Sequence, residues 1–283
     1  MIGEVAMKMK YNVQVLISTM NQTPNTITEL IDKMNIASDA VVGNQCDKDE
    51  IWQFEINGCY IEVLSSSERG LSKNRNKEIR EAQADICVIA DDDMCFNPGY
   101  VDTLVSLYSR YKNADLIVFN IGEQKQTRYI TKKIKKLNPL SCLKYSGARI
   151  TFKRTSIIRK GIMFDTRFGS GSKYISGEDN LFLSQCIKSG LRAIAVPEQI
   201  AMLRECRDST WYKGMNDDYF YSRGAFFFTF SRFFYVIFIV RFAIKNRQKF
   251  KNEMTVGKSI RLMLKGAHSI RRNKDKDEKD VKI

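Results

Sequence analysis

The chain has 283 residues, 43% of them hydrophobic and 28% charged, and carries a formal net charge of +14. That length and balance exclude a disordered or fibrous chain and suffice for one large α/β domain or two small ones. A single histidine, His268, argues against zinc and excludes a His-based catalytic triad, and seven cysteines with no C-x-x-C spacing read as reduced thiols. The opening residues MIGEVAMKMKYN lack the apolar run of a signal peptide, so the expected location is the cytoplasm.

Along the chain, NVQVLIST (12–19) reads as a strand rich in β-branched residues, followed by the polar stretch MNQTPN. Residues 26–35 place Ile27, Leu30, Ile31 and Met34 on one helical face. DAVVGN (39–44) and CYIEVLS (59–65) read as strands, and 72–84 as a polar helix opened by Ser72. DICVIA (85–90) is the next strand, 97–111 a helix with Pro98 near its first turn, and DLIVFN (115–120) a further strand. Strands alternating with helices predict an α/β fold with a mostly parallel sheet. The basic stretch 127–139 reads as a solvated face or loop and 148–154 as a strand. Residues 177–190 form a helix with acids in its first turn and Gly190 at its end, and LRAIAVP (191–197) a strand closed by Pro197. No internal repeat or linker interrupts this pattern, so one domain is expected over 1–205, with a separate extension over 206–283.

The extension has another character. Residues 224–245, GAFFFTFSRFFYVIFIVRFAIK, are aromatic-rich with Arg232 and Arg241 inside, which burdens a membrane span of about 20 apolar residues. A helix lying in the membrane interface, a helix buried against the domain or a partner, and a true span all remain readings of this segment. Residues 245–283 hold 13 Lys and Arg against 5 Asp and Glu, and a polybasic segment beside an apolar helix attracts anionic lipid, so the expectation is an anionic membrane surface bound through 225–283.

The sharpest signal is local. The apolar run of 86–90 ends in Asp91, Asp92 and Asp93. Like charges side by side are unfavourable unless a cation sits among them, and ligands of open α/β sheets bind outside the carboxyl ends of the strands. A hard divalent cation such as Mg²⁺ or Mn²⁺, bridging carboxylates to substrate phosphates, meets both conditions. One element earlier, 65–79 offers Arg69, Lys73 and Arg75 in a loop feeding a helix N-terminus, where anions are favoured. Glu178 and Asp179 open a later helix, where the dipole favours acids, and a carboxylate there is also a natural base for a hydroxyl.

In their order and spacing, VQVLISTMNQ (13–22), RGLSKNRNKEIREAQADICVIADDDM (69–94) and MFDTRFGSGSKYISGEDNLFLSQCIKSG (163–190) resemble the inverting glycosyltransferases of family 2, over roughly residues 11–215. The resemblance implies a GT-A fold: a Rossmann-like, mostly parallel mixed sheet flanked by helices, here with a helical, membrane-associating C-terminal extension. It places the D-x-D motif at Asp91 and Asp93, with Asp93 on a Mn²⁺ or Mg²⁺ ion and Asp91 facing the metal or the ribose. It assigns nucleotide binding to Thr19, Asn21, Asn44, Lys73, Arg75, Asp91 and Asp92, the catalytic base to Asp179, and the acceptor to Glu178 and Trp211. The chain departs from the family at Asn44-Gln45, with Asp47 following later, where acidic residues are usual. It also departs after the Glu-Asp helix, where Arg204, Glu205, Arg207 and Asp208 stand in place of a histidine. The Q-x-x-R-W signature of processive members is absent, which implies transfer of a single sugar.

The implied function is metal-dependent, inverting transfer from a nucleotide sugar, UDP first, to a glycan or lipid-linked oligosaccharide acceptor. The setting would be bacterial cell-surface polysaccharide biosynthesis, at the cytoplasmic face of the plasma membrane. A nucleotidyltransferase also uses metal-bound carboxylates in an α/β fold, but needs a Gly-rich N-terminal loop, and STMNQTPN (18–25) has no glycine. The basic tail permits nucleic-acid binding, a reading that leaves the aspartates and the Glu-Asp pair without a task, so no nucleic-acid partner is expected.

Overall fold

The computed structural model describes residues 11–124, 126–145, 149–204 and 214–280. The chain divides into two compact units, one of Met1–Arg69, Lys73–Met163 and Phe182–Cys206, the other of Gly70–Ser72, Phe164–Leu181 and Arg207–Ile283.

The first unit is built on one mixed sheet. Its elements in chain order are β1 (Val13–Met20), α1 (Pro24–Lys33), β2 (Asp39–Gln45), β3 (Glu50–Ile56), β4 (Cys59–Ser66) and α2 (Leu71–Glu81). There follow β5 (Ile86–Asp91), β6 (Met94–Phe96), α3 (Tyr100–Arg110), β7 (Leu116–Gly122), β8 (Lys135–Lys136), β9 (Ile150–Lys153), α4 (Arg154–Lys160), α5 (Glu178–Lys188), of which residues 178–181 count to the second unit, and β10 (Ala193–Leu203). The sheet order is β3-β4-β2-β1-β5-β9-β7-β10-β6, with β8 on β10. The block β4-β2-β1-β5 is parallel throughout, β7 pairs parallel with β10, and β9 runs antiparallel between β5 and β7.

Strands covered on both faces read as unbroken apolar runs, and β1, β5 and β7 are buried along nearly their whole length. Helix α1 starts with Pro24 after a Thr23–Thr26 capping box, two residues before the expected start at residue 26, and it buries the expected Ile27, Leu30 and Ile31, with Met34 just beyond its end.

Several elements differ from the sequence reading, three of them near the sheet. Helix α3 begins at Tyr100, with Gly99 as its N-cap in the left-handed region, so Pro98 precedes the helix. Pro197 does not close a strand: β10 continues to Leu203 through register shifts between Ala195 and Ala201, and an irregular strand tolerates a residue that cannot donate to the ladder. Strand β3 is an exposed edge joined to β4 by Asn57-Gly58, both with positive φ, the pairing that a two-residue primed turn requires.

In the second unit α6 (Asp217–Phe230), α7 (Tyr235–Phe250) and α8 (Val256–Asp280) pack together. Residues 224–245 are therefore not one helix. The chain breaks at Ser231, whose backbone is extended, and restarts after Phe234. Helix α6 takes the buried reading: Phe220, Ala225, Phe226, Phe227 and Phe230 are inside. It meets α8 backbone to backbone, since a Cβ on Gly224 would overlap Met263 and a Cβ on Gly266 would overlap Tyr221. Among the described residues no helix is long and apolar enough to cross a membrane.

Candidate active site

Strand β1 has β2 on one side and β5 on the other, so the direction of winding reverses between β1 and β5. Outside the carboxyl ends of such strands lies the natural ligand crevice of a parallel sheet. Ser18 and Asp91 are register partners at this point, and Asp92 and Asp93 follow in the turn after β5.

The three aspartates have three different surroundings. The first cation against them is supplied by the chain itself. Arg75, its side chain 1% exposed, donates from Nη2 to Asp91 Oδ1 at 2.8 Å, while Asp91 remains 38% exposed. Asp92 Oδ2 accepts from Thr19 Oγ1 at 2.7 Å, and Arg204 fixes the turn by donating to the backbone oxygens of Asp92 and Asp93. Asp93 is half-buried, and its Oδ1 has no hydrogen-bond partner among the described residues. Burial, then the charges of Asp91 and Asp92, push its carboxyl above the usual range, against a smaller lowering by Arg128.

Beneath the crevice lies a polar layer that the sequence reading missed. Glu78 of α2 is fully buried. Ser18 Oγ donates to its Oε1 at 2.7 Å and Asn74 Nδ2 at 3.0 Å, and burial pushes the carboxyl up to about 8. Asn74, Arg75 and Glu78 sit at helical spacing on one face of α2. Three buried polar residues at i, i+1 and i+4 are the signal that marks this face, because an ordinary helix would bury apolar side chains there.

The other nucleotide candidates are more spread. Asn21 has φ +55°, and its N–H donates to Gln45 O at 3.0 Å, tying the ends of β1 and β2. Asn44 is buried and clasps Gln22 with both halves of its amide, each at 3.0 Å. Lys73 faces outward and pairs with Glu68 at 3.0 Å, as Lys77 does. Arg69 pairs with Asp47 on the surface. Thr19, Arg75, Asp91, Asp92 and Asp93 are thus brought together, with Asn21 and Asn44 along the same sheet edge.

Glu178 and Asp179 belong to the second unit. They form the first turn of α5, where the helix dipole favours negative charge, and both are buried. Within that unit Ser72 Oγ donates to Phe168 O at 2.6 Å, and Leu71 N–H to Ser170 O at 2.9 Å, fixing the loop that leads into α5. Trp211 lies outside the described residues, as do Glu205, Arg207 and Asp208.

The donor set fits a hard divalent ion held by few protein ligands. A buried carboxylate oxygen without a partner, flanked by two further carboxylates, is stabilised by a cation. Among the described residues no three His, Cys, Asp or Glu side chains converge as a closed metal cage. Mg²⁺ and Mn²⁺ commonly take one or two carboxylates and complete their shell with phosphate oxygens and water.

The profile of Glycosyl transferase family 2 matches residues 15–174. No curated protein sequence is significantly similar to the chain. Among solved structures, S. aureus TarS 1–349 in complex with UDP-GlcNAc superposes with a TM-score of 0.60 at 13% identity, over 85% of this chain and 74% of that one. The same protein in complex with UDP gives 0.59 at 11% identity, over 92% and 83%. At such identities the likeness is one of fold. The matched profile spans more than half of the chain, from β1 through the acidic tip of β5 to the loop before α5: the chain belongs to glycosyl transferase family 2 and is a glycosyltransferase with a GT-A-like fold.

Proposed function

We propose that the chain moves a single sugar from a nucleotide-diphosphate donor, with UDP as the preferred nucleotide, to a hydroxyl group of a glycan or lipid-linked oligosaccharide, with inversion at the anomeric carbon. Cell-surface polysaccharide biosynthesis is the setting such an acceptor implies. The observation that carries the donor side is Asp93: a buried carboxylate oxygen without a partner among the described residues, at the switch point of the sheet, with two more carboxylates beside it. That TarS is solved with UDP-GlcNAc and with UDP supports the choice of nucleotide.

Asp93 and Asp91 would hold Mn²⁺ or Mg²⁺, which when bound offsets the charge of the leaving diphosphate. Arg75 holds the Asp91 carboxylate in position, and Thr19 does the same for Asp92. Asn21 and Asn44 shape the turn over the nucleotide, and Lys73 adds positive charge at the start of α2. Asp179 takes the proton of the acceptor hydroxyl. The oxygen's electron pair forms the new bond to the anomeric carbon, and the bond to the diphosphate oxygen breaks with its pair leaving on the nucleotide. Glu178 and Trp211 orient the acceptor.

Calorimetric titration of UDP with and without Mn²⁺, on the native chain and Asp93→Asn, tests this. Metal-dependent binding that the substitution abolishes is the expected result. Absence of nucleotide binding with UDP, GDP and dTDP in any metal would sink the proposal.

A further inference from the structure

Helix α7 has two apolar faces, and among the described residues only one has a partner. Its inner face packs inside the second unit: Phe238 stacks on Phe227 with centroids 5.9 Å apart, Phe242 meets Phe227 at 5.6 Å, and Ile239 and Ala243 are fully buried. Its outer face presents Ile237 at 61% exposure, Val236, Val240 and Ile244, preceded by Phe233 at 91% and Phe234. Val236, Ile237, Val240 and Ile244 recur at helical spacing and line an open groove of about 630 Å³ together with Arg241 and Lys245. A contiguous apolar stripe of this kind marks an interaction surface.

The charge around the stripe selects its occupant. Residues 219–252 contain seven Lys or Arg and no Asp or Glu. A second copy of the chain would set one cationic stripe against another, which is repulsive. A span is excluded by length: 16 residues rise about 24 Å, short of a bilayer core of about 30 Å, and Arg241 and Lys245 lie within them. An apolar line flanked by cations on a short helix fits a bilayer interface, with side chains in the acyl boundary and cations at the lipid phosphates.

We propose that α7, with Phe233 and Phe234 before it, docks flat on a bilayer rich in anionic phospholipid, the inner face of the plasma membrane being the expected one. The docking element is then α7 rather than the whole of 225–283, since α6 forms the core of its unit. This inference does not depend on the sugar-transfer reading.

Sedimentation of the full chain with vesicles of phosphatidylcholine, with and without phosphatidylglycerol, tests it. The native chain is expected to sediment with the anionic vesicles, and Ile237→Gln/Ile244→Gln to lower its partition by about tenfold or more. Arg241→Glu/Lys245→Glu is expected to remove the preference for phosphatidylglycerol. The thermal midpoint and the UDP titration serve as folding controls, and both are expected to stay at native values because the substituted side chains are exposed. Equal partition of the stripe variant and the native chain overturns the proposal, as does failure of the native chain to bind. Self-association of the native chain that the stripe variant loses, without vesicle binding, also overturns it and assigns the stripe to a second copy.

Discussion

The tip of β5 and the outer face of α7 are opposites in charge and alike in incompleteness. Three carboxylates follow one another at the first, where Arg75 pairs with Asp91. At the second, Arg241 and Lys245 flank a row of exposed apolar side chains, and 219–252 contains seven Lys or Arg and no acid. At other places charges are matched within the chain: Lys73 and Lys77 share Glu68, and Arg167 pairs with Asp165. Where local charge is left over in a folded chain, a partner outside the chain is the physical expectation, and its sign is the opposite of the excess. The acidic excess is small, half-buried and geometrically fixed, which suits an ion. The basic excess is exposed and set along a helix, which suits a surface.

The strongest way to break this comparison is at the acids. Asp179→Asn is expected to lower kcat by about 10²–10⁴-fold, the usual range for a lost general base, while leaving UDP binding intact. Activity within a few-fold of native would remove Asp179 from the reaction. Asp93→Asn is expected to lower activity by about a hundredfold or more and to abolish the metal dependence of UDP binding, which separates the two carboxylates by readout. Arg75→Met leaves Asp91 without its buried partner. It is expected to destabilise the fold by about 2 kcal/mol, below the value for a fully buried pair because Asp91 is partly solvated. A shift in the urea midpoint measures it, and no shift would mean that the pair contributes nothing.

Much of the sheet edge was legible because it is written in continuous signals. Runs of apolar and β-branched residues pointed to β1, β5 and β7, and the acids after Ala90 mark the carboxyl end of β5. What was missed depends on partners distant in sequence. Strand β6 has three residues and exists because Leu203 pairs with Met94. The break between α6 and α7 falls in Ser231–Phe234, residues that a helix accepts, so periodicity does not reveal it. Strand β3 is a different case: Asn57-Gly58 between alternating segments is a direct hairpin signal. In the site, Asp91–Asp93 stood out as a cluster. That Arg75 would turn inward to Asp91, and that Glu78 would lie under both, follows only from the burial of one face of α2.

Glu78 gives a smaller test of the polar layer. Its carboxyl is held at about 8 against an ordinary value of 4.5, because burial disfavours the charged form. The folded state therefore keeps a proton that the unfolded chain releases. Stability from this group is complete below about 4.5 and is lost as pH rises toward about 8. Glu78→Gln keeps an uncharged side chain at all pH values. Chemical denaturation across that window is expected to show a falling stability for the native chain and a flatter profile for the variant, a difference on the order of a few kcal/mol by its upper end. Parallel profiles would place the neutral form elsewhere.

The smallest expected effect is the one that separates a docking face from a core. If the outer face of α7 has its partner outside the chain, the isolated protein gains nothing from its apolar character. Ile237→Gln removes side-chain carbons that are already 61% exposed and leaves the helix with a good helix former. Its change in folding stability is expected to stay within about 0.5 kcal/mol, as for ordinary surface positions. On α6, Gly224→Ala forces a Cβ into the backbone of α8 and is expected to cost about 1–3 kcal/mol, since the two helices cannot keep their spacing. A urea series on both variants reads the contrast directly. A loss at Ile237 as large as that at Gly224 would mean that the stripe is packed in solution, and that what covers it is protein.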